Sequence, residues 1–251
     1  MNIRFLGTGG PFGAGGRFQA CILVDSGDRR VLLDCGASSL IAMAQHGIDP
    51  TSIDAILVSH LHGDHFGAIP YFLLEADIGP RQGAPHPQRT TPLTIGGPPD
   101  LEARVQQASD ALFRGLGSQR FPFSVEFLTW TDRQPSRAGP VVVTPFAVRH
   151  DPASLPFALR VEFGGKVIAY SGDTTWTDSL IDVAGGADVF ICEAFSFDRE
   201  LPIHLSFRRI AAERERLTSK RLILTHLGPE MVSRLEQVDI ECAHDGLLIS
   251  L

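Results

Sequence analysis

His60-Leu61-His62-Gly63-Asp64-His65 constrains this chain more than any other segment, because three imidazoles and a carboxylate fall within six residues directly after the apolar run Ile56-Leu57-Val58. Imidazole nitrogen and carboxylate oxygen are the ligands that Zn²⁺ takes at catalytic centres. The alternate pair His60 and His62, followed by the adjacent pair Asp64 and His65, sends side chains in two directions from one turn, so one loop can serve two metals. The bland reading is a polar surface loop after a strand. Three of the chain's nine histidines in a single hexad, flanked by Gly63 and Gly67, argue against it.

The hexad resembles the metal-binding signature of the metallo-β-lactamase fold superfamily, and later residues extend the resemblance in chain order. His150 ends the run from Val141 to Arg149, Asp173 lies in Tyr170-Ser171-Gly172-Asp173-Thr174, and His226 lies in Leu222-Ile223-Leu224-Thr225-His226-Leu227. Each follows a β-rich apolar stretch, where an α/β sheet presents its ligands. The resemblance implies one divalent ion on His60, His62 and His150, a second on Asp64, His65 and His226, and Asp173 between them. It implies Zn²⁺, with Mn²⁺ or Fe²⁺ accepted by the same donors, and a metal-bridging hydroxide as nucleophile, oriented by Asp64.

Four further segments resemble the ribonuclease Z-like branch of that superfamily: Leu6-Gly7-Thr8-Gly9-Gly10, Leu32-Leu33-Asp34-Cys35-Gly36, Cys192-Glu193-Ala194-Phe195 and His204-Leu205-Ser206. The branch commonly has His-Ser-Thr where this chain has His204-Leu205-Ser206. The resemblance implies a catalytic pair, Glu193 and His204, and a fold of class α/β, a metallo-β-lactamase-like αββα sandwich of two mixed β-sheets flanked by helices. It also implies a homodimer. The tRNA-processing members carry a long arm, often between the third histidine and the bridging aspartate. Residues 151–172 instead read as a hairpin with a Gly164-Gly165 turn, which disfavours tRNA and leaves a small molecule or nucleotide as substrate. A phosphodiesterase leads. A hydrolase of a carboxylic ester, lactone, lactam or sulfate ester on the same centre is the second class, and a non-catalytic metal-binding regulator is the third.

The candidate metal residues run from position 60 to position 226, so division of the 251 residues into two domains would cut the site; one domain over 1–251 is expected. With 43% apolar and 20% charged residues the chain can bury a large core. A net charge of −7 disfavours a strong nucleic-acid binder, which needs clustered Lys and Arg against phosphate. The basic residues from Arg208 to Arg221 read as a solvated helix face over a buried stripe of Phe207, Ile210, Ala211 and Leu217. Cys21, Cys35, Cys192 and Cys242 form no Cys-x-x-Cys and read as buried thiols. With no signal-peptide pattern and no apolar run of spanning length, the expectation is a cytoplasmic protein without a membrane partner.

Patterning predicts two similar halves. In the first, Ile3–Leu6, Ala20–Asp25, Arg30–Asp34, Asp54–Ser59 and Pro92–Ile95 are predicted strands, with helices at Ser39–Gln45, His65–Ala76 and Leu101–Phe113. In the second, strands are predicted at Val125–Trp130, Val141–Val148, Pro156–Phe163, Val167–Ser171, Ala187–Glu193 and Arg221–Thr225, a short helix at Ser179–Ala184, and a closing strand at Leu247–Ser250. The Pro- and Gly-rich stretch 79–91 reads as an exposed loop and a candidate lid, with His86 facing solvent.

Overall fold

A computed structural model describes residues 1–251 and shows two seven-stranded mixed sheets with helices on their outer faces. The first half contributes β1 (Asn2–Gly7), β2 (Cys21–Ser26), β3 (Arg29–Leu33), β4 (Ala55–Leu57), β5 (Leu93–Gly97) and β6 (Val125–Thr129), the last expected to open the second half but paired parallel with β5 at the edge of the first sheet. Its helices are α1 (Ser39–Gln45), α2 (Gly63–Phe66), α3 (Ile69–Ile78) and α4 (Leu101–Leu112). The second half contributes β7 (Ser136–Ala138), β8 (Val141–Ala147), β9 (Phe157–Phe163), β10 (Lys166–Tyr170), β11 (Val189–Glu193), β12 (Leu222–Thr225) and β13 (Glu241–Cys242), with α5 (Ser179–Ala184), α6 (Phe207–Glu213) and α7 (Pro229–Ser233). β14 (Leu248–Ser250) pairs antiparallel with β1, so the C-terminal strand closes the first sheet.

Both sheets follow one plan. β1, β2 and β3 are antiparallel and β3 to β6 parallel; β7 to β10 are antiparallel and β10 to β13 parallel. Alternation in each strand then divides the apolar residues between two layers. Ile3, Phe5, Ile22, Val24, Val31 and Leu33 face Leu159, Val161, Phe163, Ile168, Tyr170 and Ile191 of the other sheet in one core. The opposite faces carry Cys21, Leu23, Leu32 and Ile56 against Ile69, Phe72 and Val105, and Ala169, Phe190 and Cys192 against Leu180, Phe207 and Ile210. Burial on both faces is why these strands read as nearly continuous apolar runs.

The predicted helix His65–Ala76 is two helices, α2 and α3. Backbone bonds from Cys35 N to His65 O (2.7 Å) and from Ala68 N to Cys35 O (3.0 Å) pull the chain out of helical register, and Pro70 suits only a helix start. The 79–91 loop is tied to the first helical layer. Arg89, 2% exposed, donates to the carbonyls of Thr51, Thr91 and Pro92, and none of the loop's hydrogen bonds reaches the metal-ligand candidates. His86 does not face solvent: its side chain is 7% exposed and its Nε2 meets Glu75 Oε1 at 3.0 Å. The basic stretch is a solvated face, since Arg208, Arg209, Arg214, Arg216, Lys220 and Arg221 all make ion pairs. No helix is long and apolar enough to cross a membrane.

Candidate metal centre

The strand ends of both halves meet at one place. β4 runs into the hexad from the first sheet; the ends of β8, β10 and β12 deliver His150, Asp173 and His226 from the second. The loops are stitched together by Leu227 N donating to Thr8 O at 2.9 Å, and His226 itself takes a left-handed backbone conformation, φ 54°. Close approach here depends on Gly10: a Cβ at that position would stand 2.9 Å from Phe195 Cε2 and 3.3 Å from His226 Nε2.

Seven donors converge in two groups, and His204 completes a third with His150 and Asp173. His60 Nε2 and His150 Nε2 lie 3.2 and 3.0 Å from His62 Nδ1. Asp64, His65, Asp173 and His226 form the second group, in which Asp173 Oδ2 is 3.4 Å from His65 Nε2 and 3.2 Å from His226 Nε2. The same oxygen is 3.8 Å from His60 Nε2 and 3.9 Å from His150 Nε2, so Asp173 stands between the groups. The sequence-predicted residues are thus the ones that the fold brings together. Within each group the donor atoms lie no more than 4.8 Å apart.

This donor set fits a divalent cation. Asp64 Oδ2, His65 Nε2, Asp173 Oδ1 and both ring nitrogens of His226 are buried without a hydrogen-bond partner, which is costly unless a ligand satisfies them. Charge states agree except at His65. There burial opposes the charge, but Asp173, Asp34 and Asp64 outweigh it and raise the histidine well above its usual range, so that a metal there displaces a proton. Burial and the neighbouring imidazoles hold His60 well below the usual histidine range, and burial brings His226 down to about 4, so both are neutral near pH 7. Burial opposes the charge of Asp173, but His226, His65 and His60 outweigh it and keep the carboxyl well below its ordinary value. Neutral imidazole and ionised carboxylate are the forms that bind metal.

The nitrogens turned away from the centre are held too. His150 Nδ1 donates to Ile203 O at 2.6 Å, His60 Nδ1 meets Ser59 Oγ at 3.0 Å, and His65 Nδ1 donates to Asp34 Oδ2 at 2.7 Å. His62 uses the opposite ring nitrogen, Nε2, to reach Asp151 Oδ2 at 3.2 Å, which leaves Nδ1 as its donor. Such outer partners fix tautomer and ring orientation. Sequence reasoning placed Asp34 in a motif without giving it this task, and passed over Asp151; its position next to His150 was the available signal.

Glu193 and His204 meet at the edge of the second group. His204 Nδ1 is 3.2 Å from both carboxylate oxygens, and 3.8 Å from Asp173 Oδ2. Burial raises the Glu193 pKa, while the His204 cation pulls it back. Burial disfavours charge on His204, but Glu193 outweighs it and raises the histidine. Phe195 stacks on the His204 ring, centroids 4.4 Å apart. The cap of α6 is Ser206, whose Oγ accepts from Arg209 N at 3.1 Å, so His204 is not the helix cap.

Comparison with known proteins agrees with this architecture. An uncharacterized protein of Mycobacterium leprae is 32% identical over 204 residues, 79% of this chain and 67% of that protein. Ribonuclease Z of Mycobacterium bovis is 27% identical over 247 residues, 91% of this chain and 86% of the enzyme. The metallo-β-lactamase fold protein YhfI of Bacillus subtilis superimposes with a TM-score of 0.79 at 22% identity, over 99% of this chain and 98% of that one. The short form of human tRNase Z gives 0.76 at 23% identity, over 100% and 99% of the two chains. The family model described as "Anti-Pycsar protein Apyc1" matches residues 1–241. This chain has the metallo-β-lactamase fold and belongs to the Anti-Pycsar protein Apyc1 family.

Proposed function

We propose that this protein is a dinuclear metal-dependent phosphodiesterase acting on a small nucleotide or similar phosphodiester, working as one domain in the cytoplasm. The observation that carries the reading is the pair of donor groups with Asp173 between them, a member of the second and 3.8–3.9 Å from His60 and His150 of the first, and with His204 Nδ1 3.8 Å from the same carboxylate. His60, His62 and His150 would hold one ion, Asp64, His65 and His226 the other, and Asp173 both. Two bound divalent ions would supply Lewis acidity, making water a nucleophile near neutral pH and offsetting charge on the phosphate.

The chain's own residues do the rest. Asp64 orients the attacking water. His204, kept protonated by Glu193, gives a proton to the leaving oxygen, through the ring nitrogen that Glu193 does not occupy. Glu193 is itself anchored, accepting from Thr174 N at 2.5 Å. Phe195 covers one face of the His204 ring and limits water there. The similarity to ribonuclease Z supports phosphorus as the electrophile, while the short β9–β10 hairpin supports a small substrate in place of tRNA.

Purified protein with Zn²⁺ or Mn²⁺ is assayed on bis-p-nitrophenyl phosphate, p-nitrophenyl acetate, a sulfate ester and nitrocefin. Phosphodiester cleavage is the expected result. Cleavage of the acetate, sulfate ester or lactam alone would move the protein to a different hydrolase class, and silence on all four would make it a metal-binding regulator.

A further inference from the structure

Phe12 is 93% exposed, far beyond any other large apolar side chain of the molecule. It stands on the loop after β1, whose base is fixed and whose tip is free. Gly9 N donates to Phe18 O at 2.8 Å, and Gln19 Nε2 donates to Pro11 O at 3.0 Å. Beyond Phe12, Gly13, Gly15 and Gly16 all lie at positive φ, 62°, 66° and 76°, a backbone that other residues resist. The fold therefore presents a phenyl ring to water on an anchored loop, with nothing of its own packed over it.

The position of the ring suggests what covers it. Phe12 lines a cleft with Gly10, Ala14, Phe195, Gly228 and Pro229. Phe195 and Pro229 also line the adjoining depression of about 310 Å³, with Ser196, Arg199 and Glu230. Phe195 connects the cleft to the chemistry: its ring centroid is 4.4 Å from that of His204 and 5.9 Å from that of His226. Arg199 is exposed and makes no ion pair, so its guanidinium is free at the rim. A depression of this size suits one planar ring system and is too small for a helix with its side chains, about 10–12 Å across.

We infer that Phe12 is a specificity-determining residue whose ring stacks on the nucleobase of a nucleotide while its phosphodiester lies at the donor groups, with Phe195 and Pro229 as the floor beneath. This rests on the phosphodiesterase reading. Every base has a π-face, so an aromatic platform favours base-bearing substrates as a class without reading sequence.

The test compares thymidine 5′-(p-nitrophenyl) phosphate with methyl p-nitrophenyl phosphate on the metal-loaded full chain. Both release the same p-nitrophenolate, so the ratio of their kcat/KM values reports the nucleoside. Wild type is expected to prefer the thymidine ester. Phe12→Ala, at an exposed position that folding does not need, is expected to lower that ratio about fivefold to a hundredfold, mainly through KM, as the loss of one stacking contact does. Phe12→Trp is expected to retain it. An unchanged ratio in Phe12→Ala overturns the inference. So does an equal loss on both esters with a shift from dimer to monomer in sedimentation velocity, which would make Phe12 a subunit contact. A wild type that cleaves both esters without preference defeats this inference alone, whereas one that cleaves neither defeats the phosphodiesterase reading with it.

Discussion

Nδ1 of His65 donates to Oδ2 of Asp34 at 2.7 Å, and both side chains are fully buried. The same oxygen accepts from Ser59 Oγ at 2.8 Å and from Tyr170 OH at 2.7 Å, while Oδ1 accepts from Ser59 N at 2.7 Å. Burial together with Asp34 raises the Tyr170 pKa well above its ordinary value, so the phenol remains a donor. One carboxylate thus joins the two sheets and sets the ring of a candidate ligand. Its own backbone lies at φ 58°, a conformation that Asp tolerates better than most residues.

Asp34→Ala strands three buried donor side chains at once. Each costs ~1–3 kcal/mol when left unpaired, so a loss of several kcal/mol in denaturant unfolding is expected, together with roughly 10–100-fold weaker zinc binding. Tyr170→Phe removes one donor and should cost only about 1 kcal/mol. Competition against a chromogenic chelator reads the affinity. An Asp34→Ala protein that binds zinc as tightly as wild type would separate this carboxylate from the centre.

The Glu193–His204 pair predicts the basic limb of the rate profile. Glu193 raises His204 to about 8 against the lowering effect of burial. A proton donor works while protonated, so the rate holds below that pH and falls above it. Glu193→Gln removes the charge that raises the histidine and leaves the burial that lowers it; the limb should move to lower pH. His204→Ala should reduce kcat strongly, in the range of 10²–10⁴-fold for a lost general acid, with bound metal unchanged by elemental analysis. Loss of metal in that variant would instead make His204 a ligand.

Removal of the ions should cost stability as well as activity. Occupied sites stabilise by ~4 kcal/mol when free metal is a thousand times Kd, and 1 kcal/mol moves Tm by ~2–4 °C in a chain of this size. Dialysis against EDTA is expected to lower Tm by about 8 °C or more, with recovery on adding Zn²⁺. Identical melting curves in chelator and in zinc would contradict two buried cation sites.

Gly96 and Trp130 test the packing beneath the hexad. Trp130 Nε1 donates to Val58 O at 2.9 Å, just before the hexad, and a Cβ on Gly96 would stand 2.2 Å from Trp130 Cη2. The indole is 1% exposed and has no room to retreat. Gly96→Ala should destabilise by ~1–3 kcal/mol, the usual cost of overpacking, as a lower urea midpoint with unchanged slope.

The hexad was legible in the sequence as a local cluster after an apolar run, whereas His150, Asp173 and His226 were legible only through the resemblance to the metallo-β-lactamase fold superfamily, which their places after apolar stretches supported. The strands were legible as local patterns, apart from the short β7 and β13, which have too few residues to show a period. What tertiary structure decided was which residue meets which across the sheets. The break between α2 and α3 follows from backbone bonds to Cys35, the burial of His86 from Glu75, and the tasks of Asp34 and Asp151 from histidines that the fold sets against them. A periodic pattern reports which face of an element is apolar; a hydrogen bond between distant segments exists only once two sheets have packed and their loops have been brought within 3 Å.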